Sequence, residues 1–382
     1  MSGRDDGRLE RAKSIPILDV AARLGIQGLR RQGVEHVGAC PVCGDGGKHL
    51  ADRFAINPAR GVFVCRQCPD GGDGVQLVRL VQGCDFRAAL DWLVGAADWA
   101  PDPAQLARHK EAAAKSEARR AEFEAQARAR AIRQAREVWH ATAPGQGSLA
   151  DAYLAARGVV FDRWPPALRF LPDHPYIKSD RGGARTWHRG PCLVAGVQSP
   201  DGRVSAVHQT WIDPARPGHK ATIRALDGSA APAKLVRGSK KGGAIRLTPR
   251  DPAGRLVMGE GIETTGSALA AGVWPGATFW AGVDVGNMSG RMLHVAGTRW
   301  SGRPDMADAR AFVPPVDTAQ LMFLMDGDSS EAATWARLAA GLRRAQARNP
   351  GLRARIMRAA PGADFNDMKE KPVCAGEVLT DE

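Results

Sequence analysis

Two cysteine pairs constrain this chain more than any other feature. Cys40-Pro-Val-Cys43 and Cys65-Arg-Gln-Cys68 are separated by 21 residues. Each C-x₂-C supplies two thiolates to one tetrahedral ion, and two pairs complete a closed four-cysteine zinc site. Between them RFAIN, PARG and VFVC read as strand, turn and strand, the pattern of a zinc ribbon. Pro41 and Gly44 suit the tight knuckle around the first pair. Reduced thiols or a redox pair are the competing readings, although a redox pair is more often a single C-x-x-C beside a βαβ unit. His49 is a spare ligand that four cysteines make unnecessary. Cys84, Cys192 and Cys374 are scattered and read as ordinary thiols. Phe54 and Phe63 fall on the two hairpin strands, with Lys48, Arg53, Arg60 and Arg66 nearby. Exposed rings among cations would stack on unpaired bases. A ribbon this small also needs at least one of the two rings for its core.

The next informative stretch is LMFLMDGD, Leu321 to Asp328. A short apolar run ended by glycine and acids reads as a buried strand entering a loop. Asp326 and Asp328 lie two apart, so extended backbone points both carboxylates to one side. Like charges that close are reconciled by a hard divalent ion such as Mg²⁺ or Mn²⁺. The alternative is an acidic turn capping a helix that starts near Ser330. RLVMGEG, Arg255 to Gly261, repeats the arrangement: a short apolar strand, then Glu260 between glycines, then a helical pattern. In open α/β sheets ligands gather outside the carboxyl ends of the strands, so Glu260 and Asp326 can face one site. Glu263, one turn into the helix, also reads as a first-turn acid favoured by the helix dipole.

Elsewhere the chain punctuates itself. Residues 1–98 are expected to form a first unit, a zinc ribbon with flanking helices. IPILDVAARLGI, GVQLVRLVQG and DFRAALDWLVG are short amphipathic helices, the last with Asp85 as N-cap. Residues 99–143 are almost all helix formers with few apolar residues, which predicts a basic helical linker, either solvated or lying along a nucleic-acid backbone. PGQGS breaks that helix. Residues 144–249 form a mixed α+β subdomain, in which CLVAGVQSPDGRVSAVHQTWID reads as a hairpin around a Pro-Asp-Gly turn. Residues 250–362 form an α/β domain, and 363–382 a C-terminal tail. The fold class is therefore α/β multidomain.

Charge and motif searches narrow the function. With 53 basic and 41 acidic residues the net charge is +12, which suits a polyanionic partner. No apolar run approaches membrane-span length, and the N-terminus has no signal-peptide core, so a cytoplasmic protein without membrane association is expected. No G-x-x-x-x-G-K-[ST] string is present; GDGGKHL lacks the hydroxyl residue, which argues against a P-loop ATPase.

CPVCG, DRFAIN, VFVCRQC and GGDG together resemble the N-terminal zinc-binding domain of DnaG-type and phage or plasmid primases. Glu260-Gly261 and Asp326-Gly327-Asp328 resemble the Rossmann-like Toprim domain of those primases, topoisomerases and some nucleases. PGADFND resembles the tail of Toprim primases of mobile elements. The resemblance runs from about residue 35 to 368 and rests on the order of the motifs. It implies a primase-core subdomain before the Toprim domain. It implies Mg²⁺ or Mn²⁺ on Glu260, Asp326 and Asp328, with Asp364 as a further acid. It places Lys234, Arg237, Lys240, Lys241 and Arg246 against nucleotide phosphates or nucleic acid, and structural zinc on Cys40, Cys43, Cys65 and Cys68. The implied activity is template-directed synthesis of short RNA primers by a monomeric DNA primase, a nucleotidyltransferase active in DNA replication. Its partners would be single-stranded DNA, ribonucleoside triphosphates and a separate replicative helicase. Cys43 stands where many family members have His, residues 150–230 follow the primase core only loosely, and no segment resembles the family's helicase-binding domain. The rival readings are a Toprim nuclease and a non-catalytic DNA-binding accessory, similar to a recombination mediator. A strand-passing topoisomerase would need a tyrosine nucleophile, and Tyr153 and Tyr176 both lie outside the Toprim segment.

Overall fold

The computed structural model describes residues 7–44, 53–66, 68, 70–95, 103–180, 183–293, 295, 298–308, 311–327, 331–359, 365 and 377–378. They fall into two compact units, Met1–Glu124 and Ala125–Glu382.

In the first unit, helices α1 (Arg8–Ser14) and α2 (Ile17–Arg23) precede strands β1 (Arg30–Gln32), β2 (Glu35–Gly38), β3 (Phe54–Asn57), β4 (Val62–Cys65) and β5 (Asp70–Gly72). The strands form one antiparallel sheet in chain order, so the expected hairpin is the centre of a larger sheet. Helices α3 (Gly74–Gln82) and α4 (Phe86–Val94) follow. Each starts where an aspartate accepts backbone N–H bonds: Asp73 from Val75 and Gln76, Asp85 from Ala88. Their apolar faces, Leu77, Val78, Leu90 and Leu93, close over Phe54, Ile56 and Phe63. Both phenylalanines are thus core residues, 0% and 3% exposed. Neither ring is available to stack on a base, and the base-stacking reading of the ribbon is corrected.

Helix α5 (Pro103–His140) runs across the division between the units. The solvated spacer predicted for 99–143 gives way at its C-terminal end. Ala135 is fully buried, Arg136 Nε donates to Val204 O at 2.8 Å, and Trp139 packs in the second unit's core.

The second unit holds two main sheets. The first is antiparallel, from β6 (Ala143–Pro144), β7 (Leu168–Asp180), β8 (Gly183–Gln198) and β9 (Val204–Trp211). After the small ladder β10 (Ile223–Arg224) and β11 (Ala230–Ala231), strand β12 (Lys234–Gly238) joins its edge, giving the order β12-β9-β8-β7-β6. Alternation along β8 sorts the side chains into two layers. Cys192 and Val194 pack with Tyr176, Trp211 and Ala135. Leu193, Ala195 and Val197 pack with Tyr153 and Leu154 of helix α6 (Leu149–Ala156).

The second sheet is built from β13 (Ile245–Arg246), β14 (Arg255–Gly259), β15 (Thr278–Ala281), β16 (Gln320–Met325), β17 (Arg353–Arg358) and β18 (Glu377–Val378). Its order is β13-β15-β14-β16-β17-β18, with the four central strands parallel and the two edges antiparallel. The segment predicted as a tail therefore contributes an edge strand. Helices α7 (Ile262–Ala270), α8 (Val285–Ser289) and α9 (Glu331–Arg348) complete the unit. Leu256, Met258, Leu321 and Phe323 pack with Leu338 and Leu342 of α9, while Val257, Phe279, Met322 and Leu324 pack with Ala268 of α7. Helices cover both faces, which is why these strands read as unbroken apolar runs. The strand after β14 lies on one side of it and β16 on the other. The order reverses between β14 and β16, and a doubly wound sheet opens its ligand crevice at that switch point.

Candidate zinc centre and acidic cavity

The four cysteines converge. Their sulfurs all lie within 4.8 Å of one another, with Cys40 and Cys68 Sγ 3.8 Å apart and Cys43 and Cys65 Sγ 3.7 Å apart. A tetrahedron with Zn–S bonds of about 2.3 Å has edges of about 3.8 Å, which these two sulfur pairs match. All four are free of disulfides. Local backbone holds them in place. Gly44 at φ 68° closes the first knuckle, with its N–H on Cys40 O at 2.9 Å, and the Cys68 amide donates to Cys65 Sγ at 3.3 Å.

Glu260 follows β14 and Asp326 follows β16, the strands that flank the switch point. Both line one cavity of about 410 Å³, together with His208, Lys234, Glu263, Thr264 and Val283. Thr264 Oγ1 donates to Asp326 Oδ2 at 3.2 Å. Carboxylate oxygens on neighbouring strand ends are the hard donors that Mg²⁺ or Mn²⁺ takes, alongside water and phosphate oxygens. Asp328 and Asp364 lie outside the described residues, as do Lys48, His49 and Cys374.

Glu263 has the most crowded surroundings in this cavity. It is 8% exposed and accepts from Tyr153 Oη at 2.6 Å and Lys234 Nζ at 2.8 Å. Lys220 Nζ stands 3.1 Å away and Arg157 Nε 3.9 Å away. Burial alone would raise its pKa, but Lys234 and Lys220 outweigh that and hold the carboxyl well below the usual range. Burial, with Lys234 next, lowers His208 to about 4, so the imidazole beside the acids is neutral at pH 7. Three cations around one carboxylate leave positive charge beside Glu260 and Asp326.

The basic residues expected at the site are dispersed. Lys234 lines the cavity. Arg237, three residues along the same strand, has the opposite parity and neighbours His174, whose pKa burial and Arg237 lower to about 4. Lys240 is paired with Asp284, and Lys241 is exposed. Arg246 lies over the Trp280 ring at 4.8 Å, donates to Ser199 O at 3.2 Å, and lines a different cavity. Sequence reasoning missed Lys220, Tyr153, Arg157 and Asn287. Asn287 is buried and fastens the glycine-rich segment to α8: it accepts from Gly242 N and donates to Gly243 O and Gly282 O, all within 2.9 Å.

Residues 11–105 match the family model of the CHC2 zinc finger, the zinc ribbon of DnaG. Residues 129–247, which hold the antiparallel sheet, match a domain of unknown function, DUF7146. No curated protein matches the chain. Among solved structures, the zinc-binding and RNA polymerase domains of Aquifex aeolicus primase share 15% identity over 96% of this chain and 82% of that one, at a TM-score of 0.31. A DNA primase domain from Pseudomonas aeruginosa shares 17% over 61% and 69%, at 0.32. The RNA polymerase domain of Mycobacterium tuberculosis primase DnaG shares 16% over 64% and 80%, at 0.35. Among the described residues no helix is long and apolar enough to cross a membrane.

Proposed function

We propose that this chain is a primase-like nucleotidyltransferase that makes short RNA primers on single-stranded DNA, with a Toprim-type acidic site. The observation that carries the reading is the meeting of Glu260 and Asp326 at the switch point, in one cavity with Lys234. The CHC2 zinc-finger match supports it, because it joins a DnaG-type ribbon to that site in one chain. Glu260 and Asp326, with Asp328 and Asp364 from the sequence reading, would hold Mg²⁺ or Mn²⁺. The ions would lower the pKa of the primer 3′-hydroxyl and neutralise the triphosphate. The chain's own residues position the reactants. Lys234 and Lys220, held by Glu263, present ammonium groups to phosphate oxygens. Neutral His208 adds no competing charge. The zinc ribbon would select the start site on the template, and a separate helicase would deliver it.

The test is direct. Full-length protein is incubated with single-stranded DNA, labelled ribonucleotides and Mg²⁺ or Mn²⁺, beside the Asp326→Ala/Asp328→Ala double variant. Template-dependent short RNA, lost in the variant, is the expected result. Cleavage of the DNA without synthesis identifies a nuclease. Binding with neither activity identifies an accessory protein, and either outcome overturns the proposal.

A further inference from the structure

A second cavity, of about 980 Å³, opens in the second unit and shares no lining residue with the acidic one. It lies at the far end of α7: Ile262 to Thr264 line the acidic cavity, Leu269 and Ala270 this one. At 1.5 Å per residue those ends are roughly 10 Å apart. Most of its lining comes from the segment that matches a domain of unknown function.

Its chemistry is a mixture of rings and guanidinium groups. Trp139, Phe161 and Trp164, all half-buried, contribute aromatic surface. Trp164 is fixed in place: its Nε1 donates to Leu168 O at 2.7 Å, and Phe161 meets it edge-on at 5.9 Å. Gly145 lies so close that a Cβ there would sit 2.6 Å from the Trp164 ring. Arg163, Arg169 and Arg246 supply the cations, with Arg169 over Trp139 at 4.5 Å. Among the described residues none of these three has a carboxylate within ion-pair distance, and Asp162 is the acid in the lining. The lining therefore carries a surplus of positive charge around pre-oriented rings.

We infer that this cavity binds single-stranded nucleic acid, taking an unpaired base against Trp164 and Phe161 and the flanking phosphates on Arg163, Arg169 and Arg246. Rings recognise the face of any base, and guanidinium groups recognise phosphate oxygens, so the site reads strand character and not sequence. The assignment goes beyond the proposed activity, because it needs neither Glu260 nor Asp326.

The test uses full-length protein and a 5-iodouracil-substituted oligodeoxythymidylate, with ultraviolet crosslinking and peptide mapping beside anisotropy titrations. Adducts are expected on the peptides that carry Phe161 and Trp164. Arg169→Ala/Arg246→Ala should weaken binding roughly five-fold or more and lower the salt slope of log K by about 1.4. Arg163→Ala, a fully surface change, should give a smaller loss in the same direction. Glu260→Gln/Asp326→Asn should bind normally, and wild-type protein that crosslinks here but makes no primers would sink the primase reading and leave this one standing. Adducts confined to other regions with unchanged affinity in both arginine variants would overturn it. So would thymidine monophosphate binding as tightly as the oligonucleotide.

Discussion

Glu263 shows how a single residue can differ from its local reading. By position it is an acid in the first turn of α7, where the helix dipole favours it. By environment it is a buried anchor for two lysines, an arginine and a tyrosine drawn from α6, β12 and two loops. Glu263→Gln keeps the shape and removes the charge, leaving the cations to repel one another. Because Lys220 and Lys234 are each about one-third exposed, solvent screens part of the loss. We expect destabilisation of about 1–3 kcal/mol, measured by thermal denaturation. The sign with pH follows from the depressed carboxyl. Its stabilisation is fully present above its ordinary value of 4.5 and is lost as pH falls through the folded-state value. The acid-side fall of the melting temperature should therefore be shallower in Glu263→Gln. Equal slopes would mean that the ion cluster contributes nothing.

At the scale of elements, close approach matters more than propensity. Gly341 sits within α9, where alanine would ordinarily gain about 1 kcal/mol of helix stability. A Cβ there would meet Met288 O at 2.9 Å and the Phe323 ring and Ser289 Cα at 3.0 Å. Two of those atoms are backbone of α8, so the helices must part. Gly341→Ala is expected to lower stability by about 1–3 kcal/mol in chemical denaturation, and an increase would refute the close-packing account. The same scale decides what could be read from the chain alone. Leu256–Gly261 and Leu321–Gly327 were legible because a short apolar run stopped by glycine and an acid has few other solutions. That the two strands are neighbours was not, since parallel pairing is fixed by contacts distant in sequence. The end of α5 was hidden for the opposite reason. Ala135, Val138 and Trp139 form a short apolar stripe at the end of a long polar helix, and the average composition conceals it. Lys220 sits in a proline- and glycine-rich loop, where no periodicity marks the direction of a side chain.

At the scale of the whole molecule, the two units are stabilised by different physics. The first has about 120 residues, and four cysteines at the ends of its interior strands share the core with Phe54 and Phe63. A tetrahedral zinc contributes binding free energy on the order of 10 kcal/mol to such a unit, and that energy becomes folding energy. The second unit is held by two helix-covered sheets, and among the described residues the four-cysteine group is the cluster of metal-ligand geometry, none of it in that unit. Stripping zinc from the full-length protein should therefore unfold the first unit selectively. Limited proteolysis after chelation is expected to cut within residues 1–124 while a fragment beginning near Ala125 persists, and calorimetry should lose one of two transitions. Cys65→Ser should reproduce this in untreated protein. Purified chain should carry one zinc, released in proportion to the lost transition. Loss of both units together would show that the division is not thermodynamic, and an unchanged first transition after complete zinc removal would show that the cysteines do not hold the ribbon through a metal.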